Sequence, residues 1–416
     1  MRLFLTIAIF CYFYSEAYGK VSLDIDMKLK TLNKPALKTI KSQDGDIIDC
    51  IDIHKQHAFD HPALRNHKIQ MKPSVAFGTT KTTAPKNGTL KPITSQIWSK
   101  SGNCPIGTIP VRRVSREDIR RASSPSRFGM KTTRRYNALS TALQRKAKAK
   151  ANFNLTAEML RQPRPKDRSD AMLIALGYSY IGAKSDINLW NPPRVEPQES
   201  SSSQIWLLSG LSDDFETVEA GWVVNPSVFG DSRTRLYTYW TSDSYATTGC
   251  MNLLCSGFVQ TSTRYVLGAA IEPISTTSSE QYIISVSIFL DPNSAKWWLT
   301  FGDTVMGYWP PELFDTLKHS ATAVQWGGEV YSPNVMKKPH TKTAMGSGQW
   351  ASYLYGEASF HTNVRIQDYS LQIKYPERTT EYGDEYDCYS TKLHRDNYKA
   401  EPFFYFGGPG QNRRCP

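Results

Sequence analysis

The sequence predicts an all-β domain over residues 169–416, an antiparallel β-sandwich of jelly-roll-like topology, preceded by a small pro-domain. Beyond residue 168 the chain is rich in Trp, Tyr, Val and Ile, in short runs broken by Gly, Asn, Asp and Ser. Residues of the first kind favour strands, and many closely spaced short strands are typical of sandwiches and jelly rolls. Residues 20–168 are polar by contrast, and their second half is strongly basic.

The predicted strands follow one another at short intervals. They are QIWLLSG, VEAGWVVNP, TRLYTYWTSD, SGFVQTS, YIISVSIFLD, KWWLTFG, AVQWGGEVYS and SLQIKY. One segment, PPELFDTLKHS at residues 310–320, predicts a short helix with Pro at its start. A length of about 250 residues is ordinary for a single β-sandwich or barrel.

The N-terminus predicts a cleaved signal peptide over residues 1–19. Arg2 precedes an apolar run, and the small residues Ala17 and Gly19 suit a signal peptidase. The run is too short to span a bilayer, and no later stretch reaches the ~18 apolar residues of a membrane helix. We therefore expect a secreted protein, extracellular in an apoplast or cell wall, or delivered to a vacuole. Asn87-Gly-Thr and Asn154-Leu-Thr are N-glycosylation sequons, consistent with this route.

Cysteine usage also indicates secretion. Six cysteines remain after the signal peptide: Cys50, Cys104, Cys250, Cys255, Cys388 and Cys415. An even number in a secreted chain indicates disulfides, and among the 15 possible connectivities the pairing of neighbours along the chain is the simplest. No Cys-x2-Cys spacing or matching histidine cluster accompanies the downstream cysteines, so we expect neither a metal nor another cofactor.

The positive charge of the chain is confined to one segment. Residues 105–168 carry 17 Lys or Arg against 4 Asp or Glu, an excess that accounts for the whole formal net charge of +12. A basic surface for nucleic acid on the C-terminal domain is therefore not supported. We expect residues 20–110 to form the pro-domain and residues 111–168 to be an exposed, partly disordered linker that contains the maturation site.

Two glutamates stand out among the predicted strands. In VEAGWVV, strand alternation places Glu219 on the face opposite Ala220 and Trp222, and in QWGGEV the face of Glu329 also carries Gly327. Glutamate is disfavoured in strands, and small neighbours leave room for a substrate backbone. These two carboxyls are therefore candidates for catalysis, and the alternative is an ordinary pair of solvent-facing strand glutamates.

Several long motifs resemble one known family. DCIDIHKQHAFDHPALRNHKIQMKPS followed by CPIGTIPVRR is similar to the activation-peptide domain that precedes plant neprosin domains. GAKSDINLWNPP, VEAGWVVNPSVFGDSRTRLYTYWTSDSYATTGCMNLLCSGFVQTS, QWGGEVYSP and FYFGGPGQNRRCP resemble the neprosin domain itself. The resemblance runs in order over residues 45–110 and 170–416.

This resemblance implies a glutamic peptidase made as a zymogen, with Glu219 and Glu329 as its catalytic pair and with disulfides Cys250–Cys255 and Cys388–Cys415. The implied substrate is a proline-containing peptide or protein, cleaved after proline at acidic pH. The pro-peptide is the expected intramolecular inhibitor. Two neighbouring carboxyls share a proton, so the ionised one can take a proton from water while the other donates.

Other functions remain open from the residues alone. A glycoside hydrolase also uses two carboxylates, and a non-catalytic β-sandwich could bind carbohydrate or cell wall. We expect a monomer. Four histidines of the pro-region fall within 14 residues: His54, His57, His61 and His67. Three interpretations are open: scattered packing residues, a metal site suggested by the spacing although no carboxylate or thiolate arrangement fixes its geometry, or a switch that protonates on acidification and loosens the pro-region.

Overall fold

The structure, a computed structural model, describes residues 22–78, 84–85, 88–93, 95–131, 167–211, 214–397 and 400–416. The signal-peptide prediction, both sequons and most of the expected maturation segment lie outside these residues. Within the described part of the chain, no helix is both long enough and apolar enough to cross a membrane.

The described part of the chain before residue 132, called here the pro-region, contains one small sheet. Its elements are α1 (22–32), β1 (Ala36–Lys41), β2 (Ile47–Asp52), β3 (Leu90–Pro92), β4 (Thr108–Arg112) and α2 (Arg116–Arg121). Strands β1, β2 and β4 pair antiparallel in that order, and the Cys50–Cys104 disulfide ties β2 to the loop before β4. Strand β3 instead runs parallel to a strand of the C-terminal domain.

Residues 167–416, the C-terminal domain, are almost entirely β-structure. The strands are β5 (Arg168–Asn188), β6 (Ser200–Leu211), β7 (Asp214–Val224), β8 (Arg235–Thr241), β9 (Val259–Gln260), β10 (Gln281–Asp291), β11 (Lys296–Phe301), β12 (Thr304–Trp309), β13 (Ala321–Tyr331), β14 (Ser359–Asp368), β15 (Ile373–Lys374), β16 (Thr379–Gly383), β17 (Ser390–His394) and β18 (Phe403–Gly407), with one helical turn, α3 (Pro226–Phe229). The prediction of an all-β domain is confirmed.

Strand β5 organises the large curled sheet. The hydrogen-bonded order β8-β7-β6-β13-β5-β10-β11-β12-β9 is antiparallel throughout, and the short β3 adds to β10. The first half of β5 pairs with β13 and β16, whereas its second half pairs with β10 and β14. The strand therefore passes from one set of neighbours to another, and the sheet curls around it.

A large cluster of buried hydrophobic side chains joins the strands of this sheet. It unites buried side chains from distant strands, among them Leu207, Val218, Trp326, Val286 and Phe404. Burial of such aliphatic and aromatic side chains contributes roughly 1.5–3 kcal/mol each. The opposite faces of β6, β7, β8 and β13 carry the polar side chains described below, so the core supports the strands that hold them.

The expectation of an exposed linker from residue 111 is corrected for residues 111–131. Helix α2 is closed by a capping box at Ser115, and the buried side chains of Ile119 and Phe128 join a cluster with residues of the C-terminal domain. Its Asp118 neutralises Arg112 and Arg121, so the basic charge of this stretch is partly paired rather than solvated. A capping box, a few buried apolar side chains and internal ion pairs therefore fold a segment whose overall composition indicates disorder.

The helix predicted at residues 310–320 is also wrong. Only the 3-10 turn Pro311–Leu313 forms, and Phe314 already has extended dihedral angles. Beyond this turn, the backbone N–H groups of Asp315, Thr316 and Leu317 donate to the Glu216 carboxylate instead of to the carbonyl oxygens of a helix.

The three disulfides pair neighbouring cysteines, as the simplest connectivity and the resemblance suggest. They join Cys50 to Cys104, Cys250 to Cys255, and Cys388 to Cys415. His340 lies beside the last pair. Both of those sulfurs are committed to the disulfide, so this grouping offers no thiolate ligands.

Candidate active site

Glu219 lies in the middle of β7, between Trp206 of β6 and Tyr239 of β8. Its side chain is fully buried, whereas the neighbouring Ala220 and Trp222 face the core. The predicted alternation of faces is therefore correct, but the glutamate is not solvent-facing.

Three neutral groups donate hydrogen bonds to the Glu219 carboxylate. The Tyr245 hydroxyl lies 2.5 Å from Oε1, the Tyr237 hydroxyl 3.1 Å from Oε2, and the Gln204 amide nitrogen 3.2 Å from Oε2. Burial, and after it the charge of Glu219, raises the pKa of Tyr237 and Tyr245 well above their usual value. Both phenols therefore remain protonated and can donate.

Glu329 lies on β13 opposite Ser202 of β6 and Asp170 of β5. Arg168, the first residue of β5, places Nη1 2.7 Å from Glu329 Oε1, and both side chains are buried. Burial alone would raise the pKa of the Glu329 carboxyl, yet the Arg168 guanidinium and then the Lys131 ammonium hold it below its usual value. Glu329 is therefore a carboxylate in this structure.

Lys131 of the pro-region joins the two glutamates. Its Nζ lies 2.8 Å from Glu219 Oε2 and 3.2 Å from Glu329 Oε1, and only 7% of its side chain is exposed. The Lys131 backbone N–H donates to the Tyr239 hydroxyl at 2.7 Å, and its ammonium lies 4.9 Å from the Tyr245 ring centre. The carboxylates of two separate strands therefore share one cation that comes from outside the C-terminal domain.

The cleft that leads to this pair is also occupied by the pro-region. A cavity of about 120 Å³ remains, lined on one side by residues 127–131 and on the other by Arg168, Tyr237 and Glu329. The backbone of Gly129 accepts a hydrogen bond from the Met251 N–H, inside the loop closed by Cys250–Cys255. The pro-region therefore covers the carboxyl pair on its open side.

The glycines near Glu219 and Glu329 were expected to leave room for a substrate backbone, but the structure gives them another role. A Cβ on Gly221 would lie 2.0 Å from the Ser203 carbonyl oxygen, and one on Gly327 would lie 2.1 Å from the Ala171 carbonyl oxygen. These glycines allow neighbouring strands to approach closely. Room for a substrate backbone is not what requires them.

The sequence predicted Glu219 and Glu329 as a pair but did not predict the residues that form hydrogen bonds and ion pairs with them. Gln204 and Tyr237 both pair with Gly221, two residues from Glu219, which is readable only once the strand register is known. Tyr245, Lys131 and Arg168 come from a loop, the basic segment and a strand start, and no local pattern marks them.

Two family models match the chain in sequence order. The Neprosin activation peptide matches residues 39–155 and Neprosin matches residues 197–409, so Lys131 falls in the first and both glutamates in the second.

The chain belongs to the neprosin family.

Membership of this family supports a peptidase whose activation peptide is an intramolecular pro-peptide.

Three solved structures are remotely similar to this neprosin-family chain. Scytalido-glutamic peptidase with a peptide-based transition state analog is 7% identical, with 59% of this chain and 98% of that chain covered and a TM-score of 0.30. SCP-B, a member of the Eqolisin family of peptidases, is 7% identical over 59% and 98%, with a TM-score of 0.29. CG-16, a homodimeric agglutinin from chicken liver, is 7% identical over 39% and 95%, with a TM-score of 0.22. Likeness of this degree carries no argument about the site.

Proposed function

We propose that this protein is the zymogen of a glutamic endopeptidase in which Glu219 and Glu329 activate water. The observation that carries the proposal is a pair of buried carboxylates, on two strands of one sheet, bridged by an ammonium of the chain's own activation peptide. A buried like-charged pair is unfavourable unless it is compensated, and such pairs concentrate at functional sites.

Latency follows from the balance of charge. Lys131 and Arg168 are two buried cations that compensate the two carboxylates while the pro-region is docked, and the buried Asp167 adds a further acidic group beside Arg168. When Lys131 leaves, the site loses one positive charge, and the pair compensates by taking up one proton. The product is the singly protonated pair that acid–base catalysis needs, and acidic pH supplies the proton.

Peptide hydrolysis on the released pair needs no other reactive group. The ionised carboxylate takes a proton from water as the water oxygen attacks the scissile carbonyl carbon, and the protonated carboxyl donates to the carbonyl oxygen. Collapse of the tetrahedral intermediate breaks the C–N bond, and a proton passes to the leaving nitrogen. The pair titrates as one unit. Because its singly protonated form is populated in acid, we expect activity at acidic pH. We propose that the residue before the cleaved bond is proline, as the family resemblance implies.

The proposed enzyme is secreted and works outside the cytosol or in a vacuole. A signal-like sequence at residues 1–19 and two sequons support this location, and the three disulfides suit an oxidising compartment.

The test is a comparison of Glu219→Gln, Glu329→Gln and the control Glu381→Gln, which alters an exposed strand glutamate of β16. Acid-treated protein is assayed at pH 3–5 against a proline-containing peptide and a panel of polysaccharides. We expect each dyad variant to lose at least about 10²-fold in kcat, with the control unchanged. A dyad variant that keeps more than about a tenth of wild-type kcat contradicts the proposal, and polysaccharide cleavage instead of peptide cleavage would assign a glycosidase.

A further inference from the structure

Arg168 belongs to neither of the segments that the family models match. It lies between residues 155 and 197, at the start of β5, where its backbone pairs with Tyr331 two residues beyond Glu329. Its guanidinium is buried, lies 2.7 Å from Glu329 Oε1 and stands 5.0 Å from the Tyr331 ring centre. Its Nε is buried without a hydrogen-bond partner and the side chain lines the cleft. This residue is therefore held rigidly against one carboxyl of the pair.

The charged and titratable groups that face Glu329 come from several elements. They are Arg168 of β5, Lys131 of the pro-region, Glu219 of β7, Tyr237 and Tyr239 of β8, and Tyr245 of the following loop, while Asp167, just before β5, faces Arg168 itself. Lys131 and Arg168 are the cations in this set. Lys131 departs with the pro-region, whereas Arg168 is anchored in the sheet register of the C-terminal domain. After release, Arg168 still pairs with Glu329, whereas the hydrogen-bond donors that remain on Glu219 are neutral.

We propose that Arg168 is a positioning residue of the mature enzyme that fixes the negative charge of the pair on Glu329 and leaves the shared proton on Glu219. This inference rests on the proposed peptidase function. It makes Glu329 the base that takes a proton from water, and Glu219 the acid that donates to the carbonyl oxygen. On collapse, the proton on Glu329 passes to the leaving nitrogen and Glu219 regains the proton of the hydroxyl. The reaction therefore consumes one water, and both carboxyls return to their starting states.

The position of Arg168 also bounds maturation. An enzyme that needs this guanidinium must keep residue 168 on the same chain as β5, so the cut that frees Lys131 falls between residues 132 and 167. A cut after residue 168 would remove the cation beside Glu329.

Kinetics on acid-matured Arg168→Gln and Arg168→Lys test the assignment, with Arg264→Gln as control because Arg264 is an exposed arginine in an ion pair with Asp303. Loss of the guanidinium raises the pKa of the base, so the acid limb of kcat/KM moves to higher pH. We expect kcat to fall roughly 10²-fold with KM within about threefold, and lysine to restore at least a tenth of wild-type kcat. An Arg168→Gln profile that overlays the wild type overturns the inference.

A second readout is independent of activity. In the full-length chain with Lys131→Met, glutamate labelled at Cδ reports the titration of Glu329, and Glu329→Gln assigns the signal. Arg168→Gln should move that titration to higher pH, and an unchanged midpoint rejects the role of Arg168 even if no substrate is cleaved. Wild-type protein inactive on every peptide would instead reject the proposed function.

N-terminal sequencing of the matured enzyme should find Arg168 retained, and a fully active chain that begins at residue 169 or later contradicts the proposal.

Discussion

Lys131 is the residue of the pro-region that contacts both candidate carboxyls, and in the proposed zymogen it holds the latent state. Its ammonium is buried against the carboxylates of Glu219 and Glu329. Without this ammonium, buried negative charge on those carboxylates would be left unpaired. Removing one partner of a buried ion pair typically costs about 3–5 kcal/mol, because the remaining charge is uncompensated. The docked pro-region and the ionised carboxyl pair therefore stabilise each other.

Substitution Lys131→Met should make the zymogen easier to activate. Without the ammonium, the carboxyl pair must take up a proton even when the pro-region is docked, and docking loses its central ion pairs. We expect the pH midpoint of processing to rise by about one unit or more, measured by electrophoresis of samples held between pH 3 and 7. Lys100→Met, at an exposed lysine of the pro-region, is the matched control. An unchanged midpoint in Lys131→Met would show that Lys131 does not hold the latent state.

His361 makes the C-terminal domain itself sensitive to acid. Its ring is fully buried, with Nδ1 2.8 Å from the Ser185 hydroxyl and Nε2 2.9 Å from the Ser203 hydroxyl. Burial lowers the pKa of His361 to about 3. The unfolded chain therefore binds more protons than the folded one between about pH 6.5 and pH 3, so the free energy of unfolding falls as the pH is lowered through that window.

Replacement of His361 by Gln should flatten this dependence. A shift of this size corresponds to roughly 4–5 kcal/mol across the window, which the variant no longer loses on acidification, whatever its stability at pH 7. Urea unfolding from pH 7 to pH 3, in a Glu219→Gln background that prevents self-digestion, measures the effect. His319→Gln, at an exposed histidine, is the control. Equal slopes for His361→Gln and its parent would contradict the expectation.

At the scale of single residues, the sequence singled out the two candidate carboxyls and did not predict their environment. Glu219 and Glu329 were readable because each is a charged residue in an otherwise strand-like run that also resembles a family motif. Lys131 and Arg168 were not, because each is one of many basic residues in residues 105–168, and only the folded chain brings these two to Glu329.

Among the elements, β5 was the hardest to predict and is the most important for the fold. It runs for 21 residues, and most of its side chains are buried on both faces. A strand of this kind shows no polar–apolar alternation, and the run AMLIALG could equally be helical. Shorter strands such as β7 and β13 were predicted correctly because tryptophans, valines and glycines alternate in them with a regular period.

The disulfides should contribute unequally to stability. Cys50–Cys104 closes a sequence separation of 54 residues in the pro-region, whereas Cys250–Cys255 closes one of 5. Loop-closure entropy assigns about 4 kcal/mol to the first and about 2 kcal/mol to the second. We expect Cys50→Ser with Cys104→Ser to loosen the pro-region sheet and to allow processing nearer neutral pH.

The paired variant Cys250→Ser with Cys255→Ser is the comparison, because it frees the loop that bonds Gly129 without disturbing the pro-region sheet. Thermal unfolding and processing are measured on both. Non-reducing peptide mapping of the wild type should recover the three neighbouring pairs, and a link between Cys50 or Cys104 and the C-terminal domain would contradict the pairing.

At the scale of the whole molecule, the pro-region is held by several contacts that acid weakens. Arg235 of β8 forms a buried ion pair with Asp46 of the pro-region at 2.6 Å, in addition to the Lys131 contacts. His67 bonds the Tyr308 hydroxyl at 2.8 Å, and burial lowers its pKa. The His67 contact favours the docked state at neutral pH, when the imidazole is neutral. The composition of the chain predicted a separate basic segment, but it could not predict that part of this segment packs into the cleft.

Maturation should therefore occur below about pH 5, with little at neutral pH, and with cleavage between residues 132 and 167. Burial lowers the pKa of His57, His61 and His67 in the docked state, so release of the pro-region takes up protons as the pH falls below the ordinary histidine value of about 6.5. Replacing His54, His57, His61 and His67 together by Gln abolishes this proton uptake by the histidines. We therefore expect processing of this variant to depend less steeply on pH and to have its midpoint at a lower pH, whereas Lys131→Met should raise the midpoint. Thermal unfolding at pH 7 must first show that the variant pro-region is as stable as the wild type. If the variant then matures at the same pH and rate as wild type, the histidines are packing residues, and protonation of the carboxylates that face Lys131 and Arg235 releases the pro-region.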